Sequence, residues 1–153
     1  DSRSSMTMRD FSYPVLLTAD EADGGFVVSF PDLPEAITQG EGAADALAQA
    51  ADALEEAVAG RLRRGDDIPA PSRPRHGQHT VPVPAQTAVK AALYLALREA
   101  GLSKVELAAR LGCDEKEVRR LLDPRHPSKL PRLQAALAIL GQRLVLRLEG
   151  QAA

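Results

Sequence analysis

The sequence has 153 residues, of which 44% are hydrophobic and 26% charged, which indicates one ordinary or two small folded domains and excludes a disordered chain. No apolar run reaches the roughly 18 residues of a membrane span, and nothing resembles a secretory signal. We therefore expect no membrane partner. The one cysteine, Cys113, cannot form an internal disulfide, which favours a cytoplasmic protein. The net charge of −2 hides a division: residues 1–79 hold 14 acidic and 7 basic residues, and residues 80–153 hold 7 acidic and 12 basic ones. The basic half should be attracted to nucleic-acid phosphates, and the acidic half to a basic protein.

The first third of the chain has the alternating pattern of short strands. Phe11 to Thr18 is predicted to be a strand in which Tyr13, Val15 and Leu17 alternate to one face. The following connector ends in Gly24-Gly25, which is typical of a hairpin. Phe26 to Phe30 is the predicted returning strand. After a proline-rich turn, Ala36 to Gln39 is predicted as a short third strand.

From Ala43 to Arg64 the period changes to that of a helix of about 22 residues. Its predicted apolar stripe consists of Leu47, Ala51, Leu54, Val58 and Leu62. Neither the helix nor the sheet can bury its apolar side alone, so we predict an α+β fold in which this helix covers a small antiparallel sheet.

Residues 65–79 are rich in proline and polar residues and are predicted to be a linker. His76 and His79 have a metal-like spacing, but without neighbouring Cys or carboxylate ligands they are better interpreted as solvated loop residues. We therefore predict no metal and no cofactor. Val81 to Pro84 is a candidate edge strand, where proline is tolerated.

The second half is predicted to be helical. Ala85 to Ala100 forms one helix that ends at Gly101, and Pro131 to Leu140 forms the last helix, which ends at Gly141. Between them, residues 102–122 have the spacing of a helix-turn-helix, the unit whose second helix enters the DNA major groove.

The helix-turn-helix prediction depends on a few spacings. Ala108 is the small residue at the crossing of the two helices, and Gly112 can adopt the left-handed turn between them. Two capping boxes are predicted, Ser103 with Glu106 and Asp114 with Glu117. The apolar contacts are predicted between Val118 and Leu121 on one helix and Leu107, Ala108 and Leu111 on the other. The alternative is a helical hairpin that only packs, and the basic outer surface of its second helix favours DNA binding instead.

Each exposed polar residue of this unit has a predicted role. Lys116 or Arg120 would read guanine, and Glu115 would accept a hydrogen bond from cytosine or tune affinity by repulsion. Arg119 would contact phosphate, or instead pair with Glu115 one turn earlier. The full set predicted to bind DNA is Ser103, Lys104, Glu115, Lys116, Arg119, Arg120, His126 and Lys129.

Arg143 to Leu148 alternates cleanly and is predicted to be a C-terminal strand with no partner in its own domain. Its apolar side, Leu144, Leu146 and Leu148, is predicted to pair with a second copy of the chain. The alternative is that this strand joins the N-terminal sheet of its own chain.

Together these segments resemble the HicB antitoxin family of the helix-turn-helix type, over residues 11–148. The motifs that carry the resemblance are Tyr13-Pro14-Val15, residues 24–30 (GGFVVSF), residues 32–41 (DLPEAITQGE), Ile68-Pro69 and residues 106–110 (ELAAR). The sequence departs from the family pattern in two places. Gly42 stands where a threonine commonly caps the long helix, and Leu130-Pro131 replaces a polar cap before the last predicted helix.

The resemblance implies a shortened, inactive ribonuclease-H-like domain at residues 8–64, extending to about 84 with the edge strand. That domain would bind HicA, a small basic toxin that cuts mRNA with a histidine on a double-stranded-RNA-binding fold. Residues 85–153 would form a helix-turn-helix domain that dimerises, as a dimer or a dimer of dimers, and binds the operator of its own operon.

Two other functions are consistent with parts of the sequence. A metal-dependent nuclease needs converging carboxylates, but the candidates lie in turns rather than on strands, so we predict no catalytic residue and no enzyme. These candidates are Asp20, Glu21, Asp23, Asp32 and Glu35. The other alternative is a stand-alone helix-turn-helix regulator whose N-terminal domain senses a small molecule.

Overall fold

The computed structural model describes residues 8–150, which form a mixed α/β structure with small antiparallel sheets. The strands in this range are β1 (Ser12–Pro14), β2 (Leu16–Ala19), β3 (Phe26–Ser29), β4 (Ile37–Gly40) and β5 (Thr80–Pro82). The helices are α1 (Ala43–Arg64), α2 (Ala85–Ala100), α3 (Lys104–Leu111), α4 (Glu115–Leu122) and α5 (Leu130–Ile139). None of these helices has the length and apolarity that crossing a membrane would require.

The strands form two antiparallel ladders, β1 with β5 and β2-β3-β4. The single strand predicted from Phe11 to Thr18 is divided at Val15, whose amide donates to the His79 carbonyl oxygen at 3.0 Å. Pro14 has no amide to donate. The chain therefore pairs with β5 before this point and with β3 after it.

Close backbone approach explains two glycines of the sheet. Gly25 has a φ of 76°, and a Cβ there would lie 2.4 Å from the Gly40 carbonyl oxygen. A Cβ at Gly40 would lie 2.5 Å from Cα of Ala46. The hairpin turn and the contact of α1 with β4 therefore both require glycine.

Helix α1 has the predicted bounds, but its buried face is rotated slightly from the predicted stripe. Leu54, Val58 and Leu62 are buried as expected, whereas Leu47 and Ala51 are only partly buried. The other buried residues of the helix are Ala46, Ala50, Ala57, Ala59 and Gly60. At the N-terminal end of this face, Ala46 lies directly against Gly40 of β4. As expected from Gly42, no side chain caps its N-terminus.

Helix α2 belongs to both cores of the molecule. Ala91 is fully buried in the first core, formed by the strands and α1, and Tyr94 and Leu95 pack against it. Leu93 and Leu97 lie in the second core, with the buried residues of α3, α4 and α5. The domain boundary predicted near residue 84 therefore falls just before a helix that contributes to both cores.

The predicted strand Arg143–Leu148 does not form in the single chain, where residues 142–150 have no regular secondary structure. Only Leu144 packs against the second core, whereas Leu146 and Leu148 are 75% and 97% exposed. A strand needs a hydrogen-bonding partner, and none of the strands within residues 8–150 pairs with this segment.

Candidate functional site

Helices α3 and α4 meet at Gly112, which has a φ of 75°. The Gly112 amide donates to the carbonyl oxygens of Ala108 and Ala109, and the Cys113 amide donates to that of Ala108 at 3.0 Å. These bonds end α3 and turn the chain into α4. Val118 is fully buried between the two helices, with Leu107 and Leu121. The predicted left-handed turn is present, Ala108 is buried in the same core, and Leu111 is only partly buried against it.

The two predicted capping boxes differ in the structure. Ser103 and Glu106 form both reciprocal bonds, from the Glu106 amide to Ser103 Oγ at 3.0 Å and from the Ser103 amide to Glu106 Oε1 at 2.9 Å. At α4 only one bond forms, from the Glu117 amide to Asp114 Oδ1 at 2.9 Å. The Glu117 carboxylate instead lies 3.7 Å from guanidinium nitrogens of Arg120 and of Arg132 on α5. The second box is therefore incomplete, and its glutamate lies beside two arginines instead.

The residues predicted to bind DNA are all exposed, apart from Glu115, which is partly buried. The exposed ones are Ser103, Lys104, Lys116, Arg119, Arg120, His126 and Lys129. The predicted alternative for Arg119 also occurs, since its Nη2 lies 3.0 Å from Glu115 Oε2. An exposed pair of this kind contributes only a few tenths of a kcal/mol, so a phosphate could replace the carboxylate.

Lys90 of α2 is a functional candidate that the sequence analysis missed. Lys90 is fully buried. Its Nζ donates to the carbonyl oxygens of Arg120 at 2.8 Å and Leu121 at 3.1 Å, and to Ser128 Oγ at 2.7 Å. The ammonium thus caps the C-terminus of α4, where the helix dipole favours a cation. The available signal was a lysine inside the otherwise apolar run Val89-Lys90-Ala91-Ala92.

Burial lowers the pKa of Lys90 from 10.5 to about 8, and the Asp123 carboxylate opposes this shift. The folded chain therefore loses this proton at lower pH than the unfolded chain, so the free energy of unfolding should rise with pH between the two values. From about pH 7.5 to about pH 9.5, the wild type should gain about 2 kcal/mol relative to Lys90→Met.

Urea unfolding of the two proteins across this range would measure the difference. Tyr13 does not interfere, because burial raises its pKa to about 12, and any titration of Tyr13 in the unfolded chain is common to both proteins. Parallel stability curves for the two proteins would contradict the expectation.

The solvent side of the β2-β3-β4 sheet presents apolar residues. Opposite residues of an antiparallel pair share a face, and the register places Leu16, Ser29 and Ile37 in one row and Thr18, Val27 and Gln39 in the next. We call these six residues the outer sheet face. Leu16, Val27 and Ile37 are 45%, 36% and 63% exposed. Exposed acidic residues lie at its edge, namely Glu21 and Asp23 in the β2–β3 turn and Glu41 after β4.

Three of the five carboxylates considered for nuclease chemistry, Asp20, Asp32 and Glu35, form other contacts. Asp20 accepts hydrogen bonds from the backbone amides of Ala22 and Asp23 in the turn. Asp32 accepts hydrogen bonds from the amide and hydroxyl groups of Ser72. Glu35 forms a two-bond ion pair with Arg61, at 2.6 and 2.9 Å, which holds the pKa of that carboxyl below its usual value. Within residues 8–150, no three Cys, His or acidic residues are grouped as metal ligands would be.

Comparison with known proteins gives a consistent result. Residues 12–92 match the family model described as "HicB_like antitoxin of bacterial toxin-antitoxin system". Antitoxin HicB of Escherichia coli (strain K12) is 39% identical over 134 residues, which cover 88% of this chain and 96% of that protein. Antitoxin HicB 1 of Photorhabdus laumondii subsp. laumondii is 37% identical over 142 residues, which cover 93% and 90%. Antitoxin HicB of Pseudomonas fluorescens is 35% identical over 134 residues, which cover 87% and 92%.

Proposed function

The chain belongs to the HicB-like family, the antitoxins of bacterial toxin-antitoxin systems, and we propose that its two units divide the tasks of an antitoxin. The N-terminal unit, residues 8–84, binds and neutralises a HicA-type toxin that cuts mRNA. The C-terminal unit, residues 85–153, binds the operator and represses the chain's own operon. The observation that carries this proposal is that the two units expose surfaces of different chemistry, one apolar with acidic edges and the other basic.

The outer sheet face is the proposed toxin-binding surface. Its three apolar side chains are solvated in the free chain, so covering them with a partner gains hydrophobic free energy. The acidic residues beside them would attract a basic toxin and accelerate association at low salt. The protein has no catalytic role in this proposal, because the chemistry belongs to the toxin.

The proposed DNA-binding surface is the exposed side of α4. Lys116 and Arg120 are its base-reading residues, with Glu115 accepting from cytosine or tuning affinity by repulsion. The phosphate contacts come from Arg119, from Ser103 and Lys104 at the start of α3, and from His126 and Lys129 in the loop after α4. Because one such helix covers few base pairs, the proposal requires at least a dimer.

Replacing Val27 and Ile37 together by lysine should weaken toxin binding by at least about tenfold, since apolar contact is lost and a basic partner is repelled. Both residues are exposed, so the melting temperature should change little. Calorimetric titration with the cognate toxin would measure the effect. Val105→Lys on α3 is the matched control, because Val105 is 60% exposed but far from the sheet in sequence and belongs to the other unit. Normal toxin affinity in the double variant would remove the outer sheet face from the proposal, and a wild type that binds no toxin would remove the N-terminal assignment itself.

A further inference from the structure

Two residues of α2, one helical turn apart, hold the loop that follows α4. Gln86 Nε2 donates to the Ser128 carbonyl oxygen at 2.7 Å, and the Ser128 amide donates to Gln86 Oε1 at 3.1 Å. Lys90 Nζ donates to the Ser128 hydroxyl and to the carbonyl oxygens of Arg120 and Leu121. We call Gln86, Lys90 and Ser128 the α2 clamp. It joins α2 both to the end of α4 and to the loop at residues 123–129.

The clamp places a charged group in a fully buried position. Burying an ammonium group carries a desolvation penalty, which its hydrogen bonds only partly offset. Three bonds that converge on one nitrogen do, however, fix distances and angles, which an apolar contact of equal volume does not. This exchange of stability for geometry points to a need for exact placement of the end of α4.

The groups that the clamp fixes are next to the proposed DNA contacts. The carbonyl that Lys90 binds at 2.8 Å is that of Arg120, whose side chain is proposed to read a base. Ser128 lies between His126 and Lys129, which are proposed to contact phosphates. A small rotation of α4 or a shift of the loop would therefore move base and phosphate contacts together.

An adjacent face of α2 contacts the N-terminal unit. The Thr87 hydroxyl donates to Glu55 Oε2 of α1 at 2.9 Å, and the Tyr94 hydroxyl donates to the Asp66 carbonyl oxygen at 2.7 Å. These two bonds hold α2 against α1 and the segment after it, whereas the clamp holds the end of α4 and the loop at residues 123–129.

We propose that Gln86 and Lys90 are positioning residues for DNA recognition, which set the orientation of α4 and of the loop at residues 123–129 without touching DNA. This inference rests on the proposed function, since it requires that α4 binds an operator.

The test compares Lys90→Met and Gln86→Ala with Thr87→Val as the matched control. Thr87→Val removes a hydrogen bond from the same helix, but on the side that faces α1. Affinity for DNA from the chain's own promoter and for unrelated DNA would be measured by fluorescence anisotropy at neutral pH, well below each melting temperature. Lys90→Met should lose about 10- to 100-fold in operator affinity, the equivalent of one misplaced base contact. Gln86→Ala should show a smaller loss in the same direction, and Thr87→Val should match the wild type.

A spectroscopic measurement separates positioning from general destabilisation. In both clamp variants, amide NMR signals of residues 119–129 should shift and exchange faster, while those of α3 stay in place. Gln86 is exposed, so Gln86→Ala should fold and decides the question even if Lys90→Met does not. Wild-type operator preference in both clamp variants would overturn the positioning role alone. A wild-type chain that prefers no operator would overturn the proposed function as well.

Discussion

A chain that ends at Gln142 should lose about 10²- to 10⁴-fold in operator affinity, because the second half-site would no longer bind at high effective concentration. Recognition by a helix-turn-helix requires two reading helices about 34 Å apart on one face of the duplex. The C-terminal segment is the proposed source of that spacing. In the single chain Val145, Leu146 and Leu148 are 57%, 75% and 97% exposed, so their apolar surface is available to a second copy. Antiparallel pairing across a two-fold axis would also satisfy the backbone groups of the segment.

Point variants avoid the objection that truncation removes Leu144, which packs on the second core. Leu146→Asp with Leu148→Asp should reproduce the loss, because both side chains are exposed in the single chain and would be buried only in the dimer. Arg143→Ala with Arg147→Ala is the control, from the opposite side of the proposed strand. Light scattering would measure the oligomeric state of each variant, and operator titration would measure its DNA affinity. If the leucine variant remains a dimer with full operator affinity, the copies must be joined through other parts of the chain.

Replacing Lys116 and Arg120 together by alanine should abolish the preference for the operator while leaving toxin binding unchanged. Each lost base contact is expected to cost about 1–3 kcal/mol, because a well-placed pair of hydrogen bonds to a base edge is not reproduced by water. Both side chains are exposed, so the fold should persist, although Arg120 also lies 3.7 Å from Glu117.

Arg119→Ala is the informative comparison for this double variant. Its loss should weaken binding to all DNA similarly and reduce the salt dependence, since a phosphate contact carries no sequence information. Competition titrations at two salt concentrations would distinguish the two patterns. A double variant that still prefers the operator would show that α4 does not read it.

Local chemistry accounts for the parts of the fold that the sequence predicted best. Gly65, Gly101 and Gly112 end their helices with φ values of 74°, 69° and 75°, so the bounds of α1 and α2 followed from glycine positions and apolar periodicity. The features that were missed depend on tertiary neighbours. Lys90 finds its acceptors about 30 residues away, and the Glu117 carboxylate lies 3.7 Å from Arg132 of another helix instead of completing its cap. The segment at residues 143–148 has a strand pattern, but none of the strands within residues 8–150 pairs with it.

The position of α2 between the two cores has a consequence for exchanging recognition between related antitoxins. A chimera joined before α2, in the linker at residues 65–79, would bring foreign residues against the buried surface where Ala91 meets the first core. A junction after α2, at Gly101, would instead leave Leu93 and Leu97 facing the helices of another protein. Neither junction preserves both contacts, so we expect that the proposed toxin and operator specificities cannot be transferred independently of each other. Transferring one without the other should require matching changes along α2.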